Sequence, residues 1–172
     1  MAATDPDLRI DALAPHHDRA GFSCGIDDLD RYLATQAGQD VRRKAHGVFV
    51  VTASARPETV LGYYTLCATA LQPGAVPAAA RKHIPRYPLV SATLLGRLAF
   101  STTCQGTGLG AILLADALRR AYASATTIGS CMVVVDALNT RAAAFYATHG
   151  FMQLPDSMRL VLPMVVVGKL VL

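Results

Sequence analysis

The run Gln105-Gly106-Thr107-Gly108-Leu109-Gly110 stands between a strand-like segment and a strongly amphipathic one. Glycines at that spacing let a backbone turn tightly and bare its N–H groups at a helix N-terminus, where the helix dipole favours an anion. A phosphate binder is the direct inference, and a purely structural glycine turn is the plain alternative. No Lys-Ser or Lys-Thr follows the glycines, so the run is not a Walker loop. Gly106, Gly108 and Ala111 fit the GxGxxA pattern of dinucleotide folds. That pattern needs the first strand of a βαβ unit and an acidic residue about 20 positions on. Here several strands precede the loop, and Asp136 lies too far along.

Cations are the second chemical signal. The net charge is only +4, from 16 Lys+Arg against 12 Asp+Glu, which does not announce a nucleic acid by itself. The positive residues nevertheless cluster. Arg42, Arg43 and Lys44 stand with His46; Arg81 and Lys82 stand with His83 and Arg86; Arg119 adjoins Arg120. Each group alone reads equally well as a solvated face or a helix C-terminus. Together, on a chain with 16% charged residues, they favour a polyanionic ligand. Arg97 sits inside a segment rich in Leu and Ala, either as a paired structural arginine or beside the substrate. Cys24, Cys67, Cys104 and Cys131 are scattered without a CxxC pair. They read as buried thiols of a reducing compartment, and no metal site is expected.

These residues must be positioned by a core, and the composition supplies one. With 172 residues and 52% hydrophobic side chains, a single domain over residues 1–172 is expected, without disulfide or metal staples. The most apolar stretch, residues 160–172, is broken by Pro163 and Lys169 and is shorter than the ~20 residues of a spanning helix. The start, Met1 to Arg9, carries acids and no apolar run, so neither leader nor membrane segment is expected and the cytoplasm is the predicted location.

Alternation predicts a first strand over residues 8–13, and Ile26, Leu29 and Leu33 predict one face of a helix. A second helix is expected over residues 36–43, then strands over 48–51 and 59–71 around the turn Ala55-Arg56-Pro57. Four prolines make residues 72–88 a connection with a helical turn or two near residues 78–82. Residues 89–100 read as a long strand. Leu109, Ile112, Leu113, Leu114, Ala117, Leu118 and Ala121 form a helical stripe, and Met132-Val133-Val134-Val135 reads as a strand covered on both faces. Asn139 can cap a helix that turns Ala142, Phe145, Tyr146 and His149 inward and stops at Gly150. Residues 159–162 are the last clear strand, and the tail from Pro163 fits strand or helix.

In this order the elements resemble the GCN5-related N-acetyltransferases. The resemblance is carried by Gln105, Gly108 and Gly110 after a long strand, and then by Asn139, Phe145, Tyr146, Gly150 and Phe151. Upstream, Phe22-Ser23-Cys24-Gly25, Leu29 to Leu33, Gly62-Tyr63-Tyr64, Pro85-Arg86-Tyr87-Pro88 and Leu95-Gly96-Arg97-Leu98-Ala99 resemble the acetyltransferase toxins of bacterial toxin–antitoxin pairs. The resemblance implies an α/β (α+β) fold with a central mixed, mostly antiparallel sheet, splayed between two parallel strands that bind acetyl-CoA.

By the same resemblance, Leu98, Ala99 and Phe100 pair with the pantetheine arm. Gln105, Gly106, Thr107, Gly108, Leu109 and Gly110 hold the pyrophosphate, and Asn139 and Phe145 lie along the arm. Tyr146 serves as general acid towards the leaving thiolate. The implied acceptor is the amino group of an aminoacyl-tRNA, with Arg42, Arg43, Lys44, Arg81, Lys82 and Arg97 as candidates for its phosphates. A ribbon-helix-helix antitoxin and a homodimer are implied partners. Two positions depart from the family pattern: Gln105 stands where Arg is frequent, and Phe100 is bulkier than the usual Val. An acetyltransferase of small amines or protein N-termini is the alternative reading, and a non-enzymatic partner-binding module is another.

Overall fold

The computed structural model describes residues 7–172; residues 1–6, and with them most of the acidic start, lie outside that range. In chain order the elements are β1 (Leu8–Ala12), α1 (Asp27–Thr35), α2 (Ala37–Arg42), β2 (Gly47–Ala53), β3 (Gly62–Leu71), α3 (Ala78–Arg81) and β4 (Val90–Phe100). There follow α4 (Leu109–Ala125), β5 (Met132–Asp136), α5 (Thr140–Thr148), β6 (Met152–Gln153), β7 (Arg159–Pro163) and α6 (Met164–Val171). The strands form one seven-stranded sheet in the order β1-β2-β3-β4-β5-β7-β6. It is mixed: β4 and β5 are parallel, whereas β1–β2, β5–β7 and β6–β7 are antiparallel. The chain divides into two compact units, Met1–Thr65 with Arg97–Asp116, and Leu66–Gly96 with Ala117–Leu172.

In the first unit the core is Phe22, Tyr32, Leu33, Val48, Val50, Tyr63 and Ala99. Asp27, Asp28 and Asp30 occupy the first turn of α1, where the helix dipole favours acids. One turn later, Tyr32 and Leu33 are buried. The Tyr63 hydroxyl donates to the Leu29 carbonyl at 2.7 Å and so ties α1 to β3. β3 starts at Gly62, later than alternation predicts, because residues 59–61 close the preceding turn instead. There Thr59 N–H donates to Arg56 O, and Leu61 N–H to Val51 O.

In the second unit Met132, Val133, Val134 and Val135 are all at most 1% exposed, as expected for a strand covered on both faces. The tail resolves as helix. Pro163 lacks the N–H that a longer ladder would need, and α6 begins directly after it. Gly168 lets α6 approach Tyr122, whose ring would stand 2.7 Å from any Cβ there.

Two predicted apolar faces need correction. Ile112 is 43% exposed, so the buried stripe of α4 is Leu109, Leu113, Leu114, Ala117, Leu118 and Ala121. In α5 the buried residues are Ala143 and Tyr146, while Ala142, Phe145 and His149 are half-buried. A nine-residue helix resting on β6 and β7 buries a narrower stripe than periodicity alone implies. All four cysteines are half-buried and none is in a disulfide, and no helix among the described residues is long and apolar enough to cross a membrane.

Candidate active site

The glycine loop follows β4 in the first unit. A one-turn 3-10 segment, Thr102–Cys104, is capped by Ser101, whose Oγ accepts from Thr103 N–H at 3.2 Å. The Thr107 hydroxyl and N–H both donate back to the Cys104 carbonyl. Gly106 and Gly108 then adopt φ of +76° and +79°, a region that side chains rarely enter. A Cβ at either position would meet nothing within 4 Å, so the loop opens outward at both. Leu109 is buried and seats the start of α4. Among the described residues, the N–H groups of Gly106, Gly108, Leu109, Gly110 and Ala111 have no acceptor. These N–H groups, in the loop and the first turn of a 17-residue helix, suit a pyrophosphate.

The end of β4 leads into this cradle. Its ladder with β5 stops at Leu95↔Val135, whereas β4 continues to Phe100. Ser101 N–H donates to Leu61 O at 2.7 Å, and Gly62 is glycine because a Cβ would sit 2.9 Å from the Ala99 carbonyl. The backbone groups of Ala99 and Ser101 therefore face β3. By strand alternation those of Leu98 and Phe100 face the opposite edge, beyond the end of the β5 ladder. That free edge can pair with an extended, amide-bearing ligand. The Cys24 thiol is pushed up to about 11, chiefly by burial. It stays protonated and is a poor nucleophile.

In the second unit β5 ends at Asp136, which Arg159 grips with two hydrogen bonds of 2.8 and 2.9 Å. Three residues later Asn139 caps α5, its Oδ1 accepting from Ala142 N–H at 2.9 Å. The cap uses the side-chain oxygen and leaves the amide NH₂ to donate elsewhere. Tyr146 is 7% exposed, its ring wedged edge-on between Phe145 and Phe151. Phe145 itself lies against His149, with ring centroids 4.7 Å apart.

Buried tyrosines ordinarily bond their hydroxyls. Tyr32, Tyr63 and Tyr64 do so, to Asp40, Leu29 O and Asp116. The Tyr146 hydroxyl has no hydrogen-bond partner among the described residues, and desolvation pushes it up to about 12. It stays protonated and makes no hydrogen bond to the protein among the described residues.

The basic groups fall in different places. Arg42, Arg43 and Lys44 close α2 and are exposed, with Lys44 at φ +60°. Arg81 and Lys82 end α3 in the second unit and are also exposed. Arg81 spends its Nε on the Val76 carbonyl, so part of its role is structural. Arg97 is half-buried, its guanidinium carbon 3.5 Å from the centre of the Tyr32 ring. That stack is not legible in the sequence, since the two residues lie on different elements; the heptapeptide spacing of Asp40 and His46 around the basic run offered no signal either.

The first unit thus offers a cradle suited to a pyrophosphate beside a free strand edge, and the second a tyrosine hydroxyl without a protein hydrogen bond among the described residues. The acetyltransferase (GNAT) family model matches residues 28–151, and the chain belongs to that family. Its relatives are more particular. The chain is 34% identical over 134 residues, 78% of each chain, to the tRNA-acetylating toxin of Mycobacterium tuberculosis. It is similar to the structure of AtaT complexed with acetyl-methionyl-tRNAfMet, at 31% identity and a TM-score of 0.87, over 95% of this chain and 99% of that one. It is also similar to a tyrosine-to-phenylalanine mutant of AtaT bound to the C-terminus of the antitoxin AtaR and acetyl-CoA, at 28% identity and a TM-score of 0.81, over 95% and 98%.

Proposed function

We propose that this protein is an acetyl-CoA-dependent N-acetyltransferase toxin that acetylates the amino group of an aminoacyl-tRNA and so blocks translation. The observation that carries the reading is the likeness, along nearly the whole chain, to a toxin structure holding an acetylated aminoacyl-tRNA. The chain acts as a single catalytic domain over residues 1–172 in the cytoplasm, as a homodimer neutralised by a ribbon-helix-helix antitoxin. An antitoxin bound to a relative supports the last of these, and the apolar side chains that α6 leaves exposed, Val165 and Leu170, support self-association.

The pyrophosphate of the donor takes the N–H groups of Gly106, Gly108, Leu109 and Gly110, with the side chains of Gln105 and Thr107 at its rim. Gln105 contributes hydrogen bonds where an arginine would add charge. The pantetheine arm pairs with the free edge at Leu98 and Phe100, and Ala99 holds that edge against the core. The Asn139 amide and the Phe145 ring flank the arm from α5. The neutral amine of the acceptor attacks the thioester carbon, and the Phe100 N–H, pointing off the free edge, donates to the oxyanion that forms.

As the C–S bond breaks, the Tyr146 hydroxyl donates to the departing sulfur. A phenol near 12 is a weaker acid than a thiol, ordinarily ~8.5. Its contribution is therefore a hydrogen bond to the growing charge, and solvent completes the protonation of CoA. The attacking nitrogen loses its surplus proton to water. Much of the rate comes from holding the amine and the thioester together.

The cations supply the acceptor's grip. Phosphate contacts position a nucleic acid and release counterions, so affinity falls steeply with salt. Replacing Arg42, Arg43 and Lys44 together by Ala weakens acetylation of charged tRNA and flattens its salt dependence by about 0.7–0.9 in log–log slope per lost contact. Acetyl-CoA affinity stays at the wild-type value, because the substituted residues are remote in sequence and element from the loop. Kinetics at three salt concentrations test this. An unchanged slope would mean that the cluster is only a solvated helix end.

A further inference from the structure

From Leu98 to Ala115 the chain carries no charged residue, so the cradle for the donor's phosphates offers N–H groups and hydroxyls but no cation of its own. Acetyl-CoA brings more than a pyrophosphate. A third phosphate hangs from the 3′ position of the ribose beside the pyrophosphate, and phosphates are gripped best by charged, forked donors. Such a donor has to come from another part of the chain.

A cavity in the first unit holds one. Its volume is about 340 Å³, within the range of sites for small ligands. Arg56 lines it together with the hydroxyl-bearing residues Ser23, Thr59, Ser101 and Thr103. Phe22 and Val60, both buried, line it as well. Among the described residues, the Arg56 guanidinium and the hydroxyls of Ser23 and Thr59 make no hydrogen bond or ion pair. The acids that flank these segments, Asp18, Asp27 and Glu58, do not line the cavity, and Asp18 Oδ1 already accepts from Gly21 N–H at 3.1 Å.

Hydrogen bonds fix the walls to one another. Arg56 N–H donates to the Ala53 carbonyl at 2.9 Å, and Thr59 N–H to the Arg56 carbonyl at 3.2 Å, which sets the turn between β2 and β3 that carries the guanidinium. Ser101 N–H donates to Leu61 O at 2.7 Å, and Thr102 N–H to Ser23 O at 3.0 Å. The 3-10 segment with Thr103 is thereby joined to both other walls. The same segment leads straight into the cradle. Cys104 O accepts from the Thr107 hydroxyl and N–H, so a single turn separates the cavity wall at Thr103 from Gly106.

We infer that this cavity seats the 3′-phosphate of the donor, with Arg56 as its cation and Ser23 and Thr59 as hydroxyl donors. The inference rests on the assignment of the donor's pyrophosphate to the glycine loop and is independent of the acceptor. It goes beyond that assignment by giving the turn between β2 and β3 a part in donor binding, and by supplying a charge that the loop lacks.

Calorimetry with CoA and with 3′-dephospho-CoA tests it, since the two ligands differ only in this phosphate. Wild type binds CoA about tenfold or more tighter, the worth of a charge-assisted hydrogen bond. Arg56→Ala loses most of that preference. Its affinity for dephospho-CoA equals that of wild type, which shows the cradle intact and confines the effect to the arginine–phosphate pair. Arg56→Lys keeps part of the preference, because it retains the charge and loses the fork. Thr59→Val, of nearly the same shape, weakens CoA binding several-fold and leaves dephospho-CoA unaffected.

Equal binding of the two ligands by wild type, or an undiminished preference in Arg56→Ala, would overturn the assignment and leave the pyrophosphate in the loop. An undiminished preference together with a raised KM for charged tRNA in Arg56→Ala would give the cavity to the acceptor instead. Wild type that binds neither ligand would remove the pyrophosphate from the loop as well.

Discussion

Tyr146→Phe lowers turnover by about 10²–10³-fold, the usual worth of one positioned hydrogen-bond donor to developing charge, and leaves acetyl-CoA affinity close to wild type. The substitution removes one oxygen and nothing that packs. The ring keeps its edge contacts with Phe145 and Phe151, and no protein acceptor among the described residues loses a bond. A hydroxyl without a protein hydrogen bond contributes little to folding, so the melting temperature holds or rises slightly. Because burial pushes the phenol up to about 12, it stays protonated throughout the working range. The rate therefore rises with pH as the acceptor amine loses its proton, with no falling limb from Tyr146 below about pH 11. In cells, expression of wild type arrests growth and expression of the variant does not. Wild-type turnover in the variant would mean that Tyr146 serves only as packing.

The second large effect belongs to the loop. Gly108→Asp abolishes acetyl-CoA binding, raising Kd by at least about 100-fold, since like charges brought together in a binding site cost several kcal/mol. The carboxylate would point into the open space beside Gly108, where no protein atom lies within 4 Å of a Cβ, and so towards the pyrophosphate. Gly108→Ala separates the two contributions. It imposes the backbone strain of φ +79°, about 1–2 kcal/mol, without the charge, and binding falls only modestly. Calorimetry reads both, and circular dichroism shows the fold retained. Affinity unchanged in Gly108→Asp would remove the donor from this loop.

Much of this site is local, and local features are legible in a sequence. The glycines of the loop, the cap at Asn139 and the stop at Gly150 each act within a few residues, and each stands where its chemistry predicts. Features decided by packing were harder to read. Periodicity turned Ala142, Phe145 and His149 inward with Tyr146, but α5 rests on β6 and β7 through a narrower stripe. Ile112 belongs to the helical stripe by spacing and is 43% exposed. The tail after Pro163 has no period to choose by, and only its position after the last strand makes it a helix.

The seat of Arg97 illustrates the deeper limit. Its sequence neighbours are Gly96 and Leu98, whereas its physical partner is Tyr32, fixed in turn by Asp40. Nothing in the spacing of residues 32, 40, 46 and 97 announces that they meet. Tyr146 of α5 is likewise legible only as a residue type; that its hydroxyl makes no hydrogen bond among the described residues is a property of the folded chain.

The most direct test of the proposed function is to incubate the protein with labelled acetyl-CoA and total charged tRNA, then separate tRNA from protein and free amines. Label should appear in the tRNA fraction and be released by mild base as N-acetylated amino acid, with uncharged tRNA left unlabelled. Label confined to free amines or to protein, with none on the tRNA, would contradict it.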